Sequence, residues 1–166
     1  LDGLIVGRLV HQALRRWRFP GNAGFENLMV AAARVERLID TEQAGPHVTR
    51  AGLLLERLRA DPGWVELNTA QRDGRLHHEV PYFRPGLGAG AIDVLYQDVS
   101  GGWGIVDFKT DVIQEGESPE DQVRSGYHAQ LRRYIDAVRM LLDVLPTARL
   151  CWLDHHGRVV WETVDA

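Results

Sequence analysis

Apolar residues Ile5, Leu9, Val10, Leu14 and Trp17 recur at three- and four-residue steps, which predicts an amphipathic helix from Leu4 to about Trp17. Phe19-Pro20-Gly21-Asn22 ends it. A second helix is expected from about Gly24 to Ile39, rich in Ala, Leu and Arg, and a third from Val48 to Arg59, stopped by Asp61-Pro62-Gly63. The first third of the chain therefore reads as all helix. After Gly74 the period shortens. Leu76 to Phe83 is rich in β-formers and closed by Pro85-Gly86; two more strands follow, Ala91 to Gln97 and Trp103 to Lys109, joined by a Gly-containing turn over Asp98-Val99-Ser100-Gly101-Gly102. Three sequential strands predict an antiparallel meander. Ile113 to Gly116 reads as a polar, mobile loop, and Ser118-Pro119-Glu120-Asp121 as a helix start, with an N-cap hydroxyl, proline at N1 and acids in the first turn. That helix should run to about Leu142, before Leu145-Pro146. Arg149 to Leu153 and Val159 to Val164 then form a last pair of strands around His156-Gly157. No repeat, low-complexity tract or linker divides the chain, so residues 1–166 read as a single domain. Its helical part covers residues 1–62 and its sheet part, with the long helix, residues 63–166.

Composition narrows the class of protein. An apolar content of 45% with 25% charged residues is that of a soluble globular domain. No run approaches the ~20 apolar residues of a membrane span, and the first residues lack the features of a signal peptide, so membrane and secretory roles are not expected. The single cysteine, Cys151, cannot form an intramolecular disulfide, a four-cysteine zinc site or a cysteine-held iron-sulfur cluster, and the default setting is a reducing cytoplasm. The net charge of −4 offers no general attraction for nucleic acid. Its distribution is uneven: residues 1–84 hold 12 Arg against 10 acids, and residues 85–166 hold 7 basic against 13 acidic residues. Of the 19 basic residues 18 are Arg, and the sole lysine is Lys109, inside Val106-Asp107-Phe108-Lys109-Thr110.

Asp107 and Lys109 stand two apart on one strand, so their side chains leave the same face about 7 Å apart along the chain. The hairpin brings Asp93 alongside if the register agrees. Two carboxylates with a backbone carbonyl and water suit Mg²⁺ or Mn²⁺ better than Zn²⁺. Such an ion polarises a phosphoryl oxygen and lowers the pKa of a water, while the ammonium orients that water or offsets charge on phosphorus, which is the chemistry of phosphodiester hydrolysis. The alternative is an ordinary surface ion pair, because a D-x-K triplet alone is common.

Gly90-Ala91-Ile92-Asp93, fourteen residues before Gly104-Ile105-Val106-Asp107-Phe108-Lys109-Thr110-Asp111, resembles the paired motifs of PD-(D/E)xK nucleases of the RecB group. Three further segments match in order. Gly7-Arg8-Leu9-Val10-His11 resembles the group's N-terminal helical motif with its metal-binding histidine; Glu79-Val80-Pro81-Tyr82-Phe83 is similar to the strand before the metal sites; and Tyr127-His128-Ala129-Gln130-Leu131-Arg132-Arg133-Tyr134 is similar to its Gln-x-x-x-Tyr helix. The resemblance spans roughly residues 7–153 and is nearest to the C-terminal nuclease domain of AddA- and RecB-type helicase-nucleases. It implies an α/β fold: a restriction-endonuclease-like core with a mixed, centrally antiparallel sheet flanked by helices, preceded by an all-helical segment. It also implies that His11, Asp93, Asp107 and the Phe108 carbonyl hold Mg²⁺ or Mn²⁺, that Lys109 is the catalytic lysine, and that Gln130 and Tyr134 support the site and the substrate phosphate. The activity implied is DNA cleavage to 5′-phosphate and 3′-hydroxyl ends, in double-strand break repair and recombination. The implied partners are single-stranded DNA ends, helicase domains in the same parent chain and a second helicase-nuclease subunit.

Several residues keep two readings. His11 is a ligand or a helix-surface or satisfied core histidine. Gln130 and Tyr134, at i and i+4 on one helix face, and Tyr127, three residues before Gln130, look into the cleft or pack against the sheet. Glu79 supports the site or a second ion, or is a half-exposed strand glutamate. Asp111 alternates onto the Asp107 face or starts the loop. Arg15, Arg16 and Arg18 track phosphates or face solvent. His77-His78 and His155-His156 suggest zinc only weakly, since neighbours on a strand point to opposite faces. The four-cysteine iron-sulfur cluster of AddB-type and CRISPR-associated relatives of the group is not expected. The chain starts inside the first motif helix without an initiator methionine and contains no Walker A loop, as expected of a domain excised from a longer motor protein. A non-enzymatic DNA-binding or docking module with the same fold is the competing class, favoured by the net charge.

Overall fold

The computed structural model describes residues 2–86, 88–112 and 120–166. Four helices come first: α1 (Asp2–Arg15), α2 (Phe25–Val35), α3 (Thr41–Ala60) and α4 (Pro62–Arg72). Then follow β1 (Leu76–Arg84), β2 (Gly88–Gln97), β3 (Trp103–Lys109), α5 (Glu120–Leu142), β4 (Thr147–His155) and β5 (Arg158–Thr163). The five strands form one sheet in sequence order. β1, β2 and β3 make the expected antiparallel meander, β3 and β4 run parallel, and β5 returns antiparallel. The parallel step needs a crossover, and α5 supplies it. The mixed sheet flanked by helices is the α/β architecture expected.

Side chains leaving the two faces of the sheet build two cores. On one face Val94, Tyr96, Val106, Phe108, Cys151 and Leu153 pack against Leu9, Val10, Leu54, Leu55 and Leu58 of the helical layer. On the other, Ile92, Leu95, Ile105, Leu150 and Trp152 pack against Leu131, Ile135 and Val138 of α5. Asp154, buried at the end of β4, accepts from Arg57 at 2.9 Å and pairs with Arg50, which ties α3 to the sheet.

The helix boundaries differ from expectation for local reasons. α2 stops at Val35 rather than Ile39, because Arg37 turns into the left-handed region (φ 65°) and the Leu38 N–H returns to the Ala33 carbonyl. α3 begins at Thr41 rather than Val48: Asp40 caps it, accepting from the Gln43 N–H at 2.7 Å, and the helix absorbs Pro46 near its start. Asp61-Pro62-Gly63 ends α3 and also starts α4, a helix not among those expected. Asp61 accepts from the Gly63 N–H at 2.8 Å, and Pro62 occupies the first turn, where its missing N–H is no loss. The expected loop over Ile113 to Gly116 and the Ser118-Pro119 cap lie outside the described residues.

Asp61 also accepts from Trp161 Nε1 at 2.7 Å, drawing the β5 indole onto the start of α4. A Cβ on Gly63 would stand 2.5 Å from that ring. Gly63→Ala should therefore cost about 1–3 kcal/mol through overpacking, read as a lowered Tm in thermal unfolding followed by circular dichroism.

Candidate metal centre

The centre is built where three neighbouring strands each present an acid. Val94 pairs with Val106, so one step further on Asp93 faces Asp107 across β2 and β3. His78 pairs with Val94 and Val80 with Ile92, which places Glu79 opposite Asp93 on the other side of β2. Glu79 interrupts its strand with a φ of 48°, a left-handed conformation that costs a glutamate energy and turns its side chain out of the regular alternation. Glu79, Asp93 and Asp107 thus form a row across the sheet. α1, packed on the sheet through Leu9 and Val10, brings His11 over that row, with Nδ1 3.5 Å from Asp93 Oδ2. One ligand atom each from His11, Glu79 and Asp93 lies within 4.8 Å of the others.

Burial decides the electrostatics. Asp107 is 2% exposed, and its Oδ2 has no hydrogen-bond partner, although the Lys109 ammonium stands 2.8 Å away as an ion pair. Asp93 accepts from the Phe108 backbone N–H at 3.1 Å. Its carboxyl is nevertheless held well above the usual carboxylate range, first by burial, then by the charge of Asp107 and the hydrogen bond between the two carboxyls. The His11 imidazole is pushed below its ordinary value, mainly by burial, so it is neutral near pH 7 with a lone pair available; the Phe108 backbone hydrogen-bonds to the same ring and partly opposes the shift. A buried carboxylate paired with the lysine, a second carboxyl whose pKa burial raises, a third acid and a neutral imidazole make a donor set that fits a divalent cation.

Lys109 links this row to α5. Its Nζ donates to Gln130 Oε1 at 3.1 Å and lies 3.9 Å from the centre of the Tyr127 ring. Gln130 Nε2 in turn donates to the Tyr134 hydroxyl at 2.8 Å, so the i, i+4 pair shares one face as expected. Tyr134 is buried edge-on against Tyr82, and burial pushes its phenol far above the ordinary value. The Tyr127 hydroxyl donates to Asp111 at 2.9 Å, and burial followed by that bond lifts its pKa to about 12. Tyr127 also leans on Trp152, so it both packs on the sheet and faces the cleft.

The structure thus gathers His11, Glu79, Asp93, Asp107, Phe108, Lys109, Gln130 and Tyr134 in one place, with Tyr127 and Asp111 at its rim. Arg15 approaches as well, 3.3 Å from Glu79. The histidine pairs stand elsewhere: His77 stacks on Trp103, His78 binds Gln71, and His155 meets His156 at the β4–β5 turn. Neither the bend at Glu79 nor its pairing with Arg15 was legible in the sequence. The only signal was a glutamate followed by Val80-Pro81 in a strand opposite Asp93.

A family model for the PD-(D/E)XK nuclease superfamily matches residues 2–161, and the chain belongs to that superfamily, whose members are generally nucleases that use divalent metals. No curated protein matches the sequence. Among solved structures, the crystal structure of SSO0001 is similar at 16% identity and a TM-score of 0.42, over 96% of this chain and 66% of that one. Protein VC1899 from Vibrio cholerae is similar at 14% identity and a TM-score of 0.33, over 94% of this chain and 44% of that one. The chain spans just under two thirds of the first and less than half of the second. Among the described residues no helix is long and apolar enough to cross a membrane.

Proposed function

We propose that this chain is a divalent-metal-dependent deoxyribonuclease of the AddA/RecB type, acting on DNA ends as the nuclease part of a helicase-nuclease in double-strand break repair and recombination. The observation that carries the proposal is the convergence of His11 with Glu79 and Asp93, with Asp107 against Asp93 and paired with the one lysine in the chain. Support for the subgroup comes from the Gly7 to His11 spacing, the Gln130-x-x-x-Tyr134 pair and a cysteine content too low for an iron-sulfur cluster. Helicase domains elsewhere in a parent chain and a second helicase-nuclease subunit complete the proposal.

In this scheme His11, Asp93, Asp107 and the Phe108 carbonyl hold Mg²⁺ or Mn²⁺, with Glu79 beside them. The ion supplies Lewis-acid activation of the phosphodiester and of a water. Asp93 would bind the ion as a carboxylate, and the cation would offset the burial and the Asp107 charge that raise its pKa. Lys109 is fixed between Asp107, Gln130 and Tyr127, so its ammonium is already in place to offset charge that develops on the phosphoryl oxygens. Gln130 orients Lys109, and Tyr134 orients Gln130.

Purified protein incubated with single-stranded and duplex DNA should cleave in Mn²⁺ or Mg²⁺ and stop on chelation, with 5′-phosphate ends, whereas Asp107→Ala should be inactive. Equal cleavage by both proteins would identify a contaminant. DNA binding without cleavage by the wild type would favour the docking module, for which the net charge of −4 speaks.

A further inference from the structure

The Lys109 ammonium is gripped from the side of α5, by the Gln130 amide at 3.1 Å and by the Tyr127 ring 3.9 Å away. Both grips come from a part of the helix with little apolar anchorage. Between Val123 and Gln130 no side chain of α5 is buried, and its core-facing run begins only at Leu131. Polar contacts must hold this stretch over the sheet.

Glu162 on β5 supplies them. Its register partner on β4 is Leu150, so its side chain leaves the α5 face of the sheet. Oε1 accepts from His128 Nε2 at 2.8 Å and lies 3.3 Å from Arg124 Nε as an ion pair, while Oε2 accepts from the Trp152 indole N–H at 3.0 Å. Arg124 and His128 stand at i and i+4 and so share a helix face. One carboxylate, 21% exposed, therefore joins two adjacent turns of α5 to β4 and β5. Trp152 carries the connection onward. It is fully buried, is the β4 register partner of Lys109, and supports the Tyr127 ring with centroids 5.7 Å apart. Two paths thus lead from Glu162 to the lysine, one along α5 to Gln130 and one through the indole to Tyr127.

We infer that Glu162 is a positioning residue for Lys109: by tying the first half of α5 to the Trp152 indole, it fixes the ammonium in its place beside Asp107. Its effect on cleavage rests on the nuclease function proposed above; its effect on the ammonium does not.

Lys109 is the only lysine, so protein grown with ¹³C-lysine shows a single ε-CH₂ signal, which the face of the Tyr127 ring should hold upfield of free lysine. Glu162→Ala should move that signal toward the free-lysine position with neither metal nor DNA present. In Mn²⁺ the same variant should lower the single-turnover cleavage rate at saturating oligonucleotide roughly ten- to a hundredfold, the cost of a misplaced group, and leave oligonucleotide binding, read by anisotropy in Ca²⁺, unchanged. Glu162→Gln keeps an oxygen for the indole N–H and offers an amide N–H to the other tautomer of His128, so it should restore both readouts. Should Glu162→Ala not fold, Arg124→Ala combined with His128→Ala cuts the helix end of the tether at two partly exposed positions and should reproduce the loss. An unmoved lysine signal in these variants, a wild-type signal already at the free-lysine position, or a loss confined to oligonucleotide binding would overturn the inference. A wild type that cleaves no DNA would refute the nuclease function, while the lysine signal would still decide on Glu162.

Discussion

Lys109→Met and Asp107→Asn should each lower metal-dependent DNA cleavage by roughly 10³-fold or more, a loss of about 4 kcal/mol in transition-state stabilisation. The two act on different parts of the site. Asp107→Asn removes the charge of a buried carboxylate, and with it affinity for the ion. Lys109→Met keeps the row of acids but deletes the ammonium that lies 2.8 Å from Asp107 and 3.1 Å from Gln130. Lys109→Arg should not restore activity, because a flat guanidinium cannot take the place of a compact ammonium between a carboxylate, an amide and the face of Tyr127. Single-turnover cleavage of an oligonucleotide in saturating Mn²⁺ measures this. Rates within about tenfold of the wild type in Lys109→Met would remove the lysine from the chemistry.

Asp93→Asn should abolish cleavage and yet stabilise the metal-free protein, read as a raised Tm in chelator. An asparagine there keeps the contacts without the charge: its carbonyl still accepts from the Phe108 N–H, and its amide faces Asp107 without a second negative charge. The sign follows from proton binding. Unfolded, Asp93 titrates near its ordinary value of about 3.9; folded, its pKa is raised by burial and by Asp107. Below both values the group makes no difference. As pH rises from the unfolded toward the folded value, the native chain keeps a proton that the unfolded chain has lost, so stability falls through that window and stays lower above it. Thermal melts against pH in chelator should show this slope in the wild type and a reduced slope in Asp93→Asn. Adding Mn²⁺ should raise the Tm of the wild type only, since the ion binds the folded form and supplies the charge the carboxyls lack. A variant less stable than the wild type in chelator would contradict the assignment.

The features legible in the sequence were those set by local periodicity. Strands β1 to β3 announced themselves by short runs of β-forming residues and by the glycine turn before Trp103, and a separation of two put Asp107 and Lys109 on one face. The i, i+4 spacing likewise aligned Gln130 with Tyr134. What escaped depends on contacts between distant segments or on a residue serving two elements. Asp61 ends one helix and caps the next, so it reads only as a stop, and α4 went unseen. Pro46 looks like a boundary until Asp40 is found capping the turn before it. Glu79 is bent out of its strand beneath Arg15, and Arg8 is held by Glu36 at the end of α2; both pairings require the packed fold.

Crystals grown with Mn²⁺ and measured at a wavelength where manganese scatters anomalously would test the ion site. The expected result is an anomalous peak bounded by His11, Asp93, Asp107 and the Phe108 carbonyl, lost in Asp93→Asn. Absence of a peak among those residues at saturating Mn²⁺, or a peak bound only elsewhere on the surface, would contradict the assignment of this cluster as a metal centre.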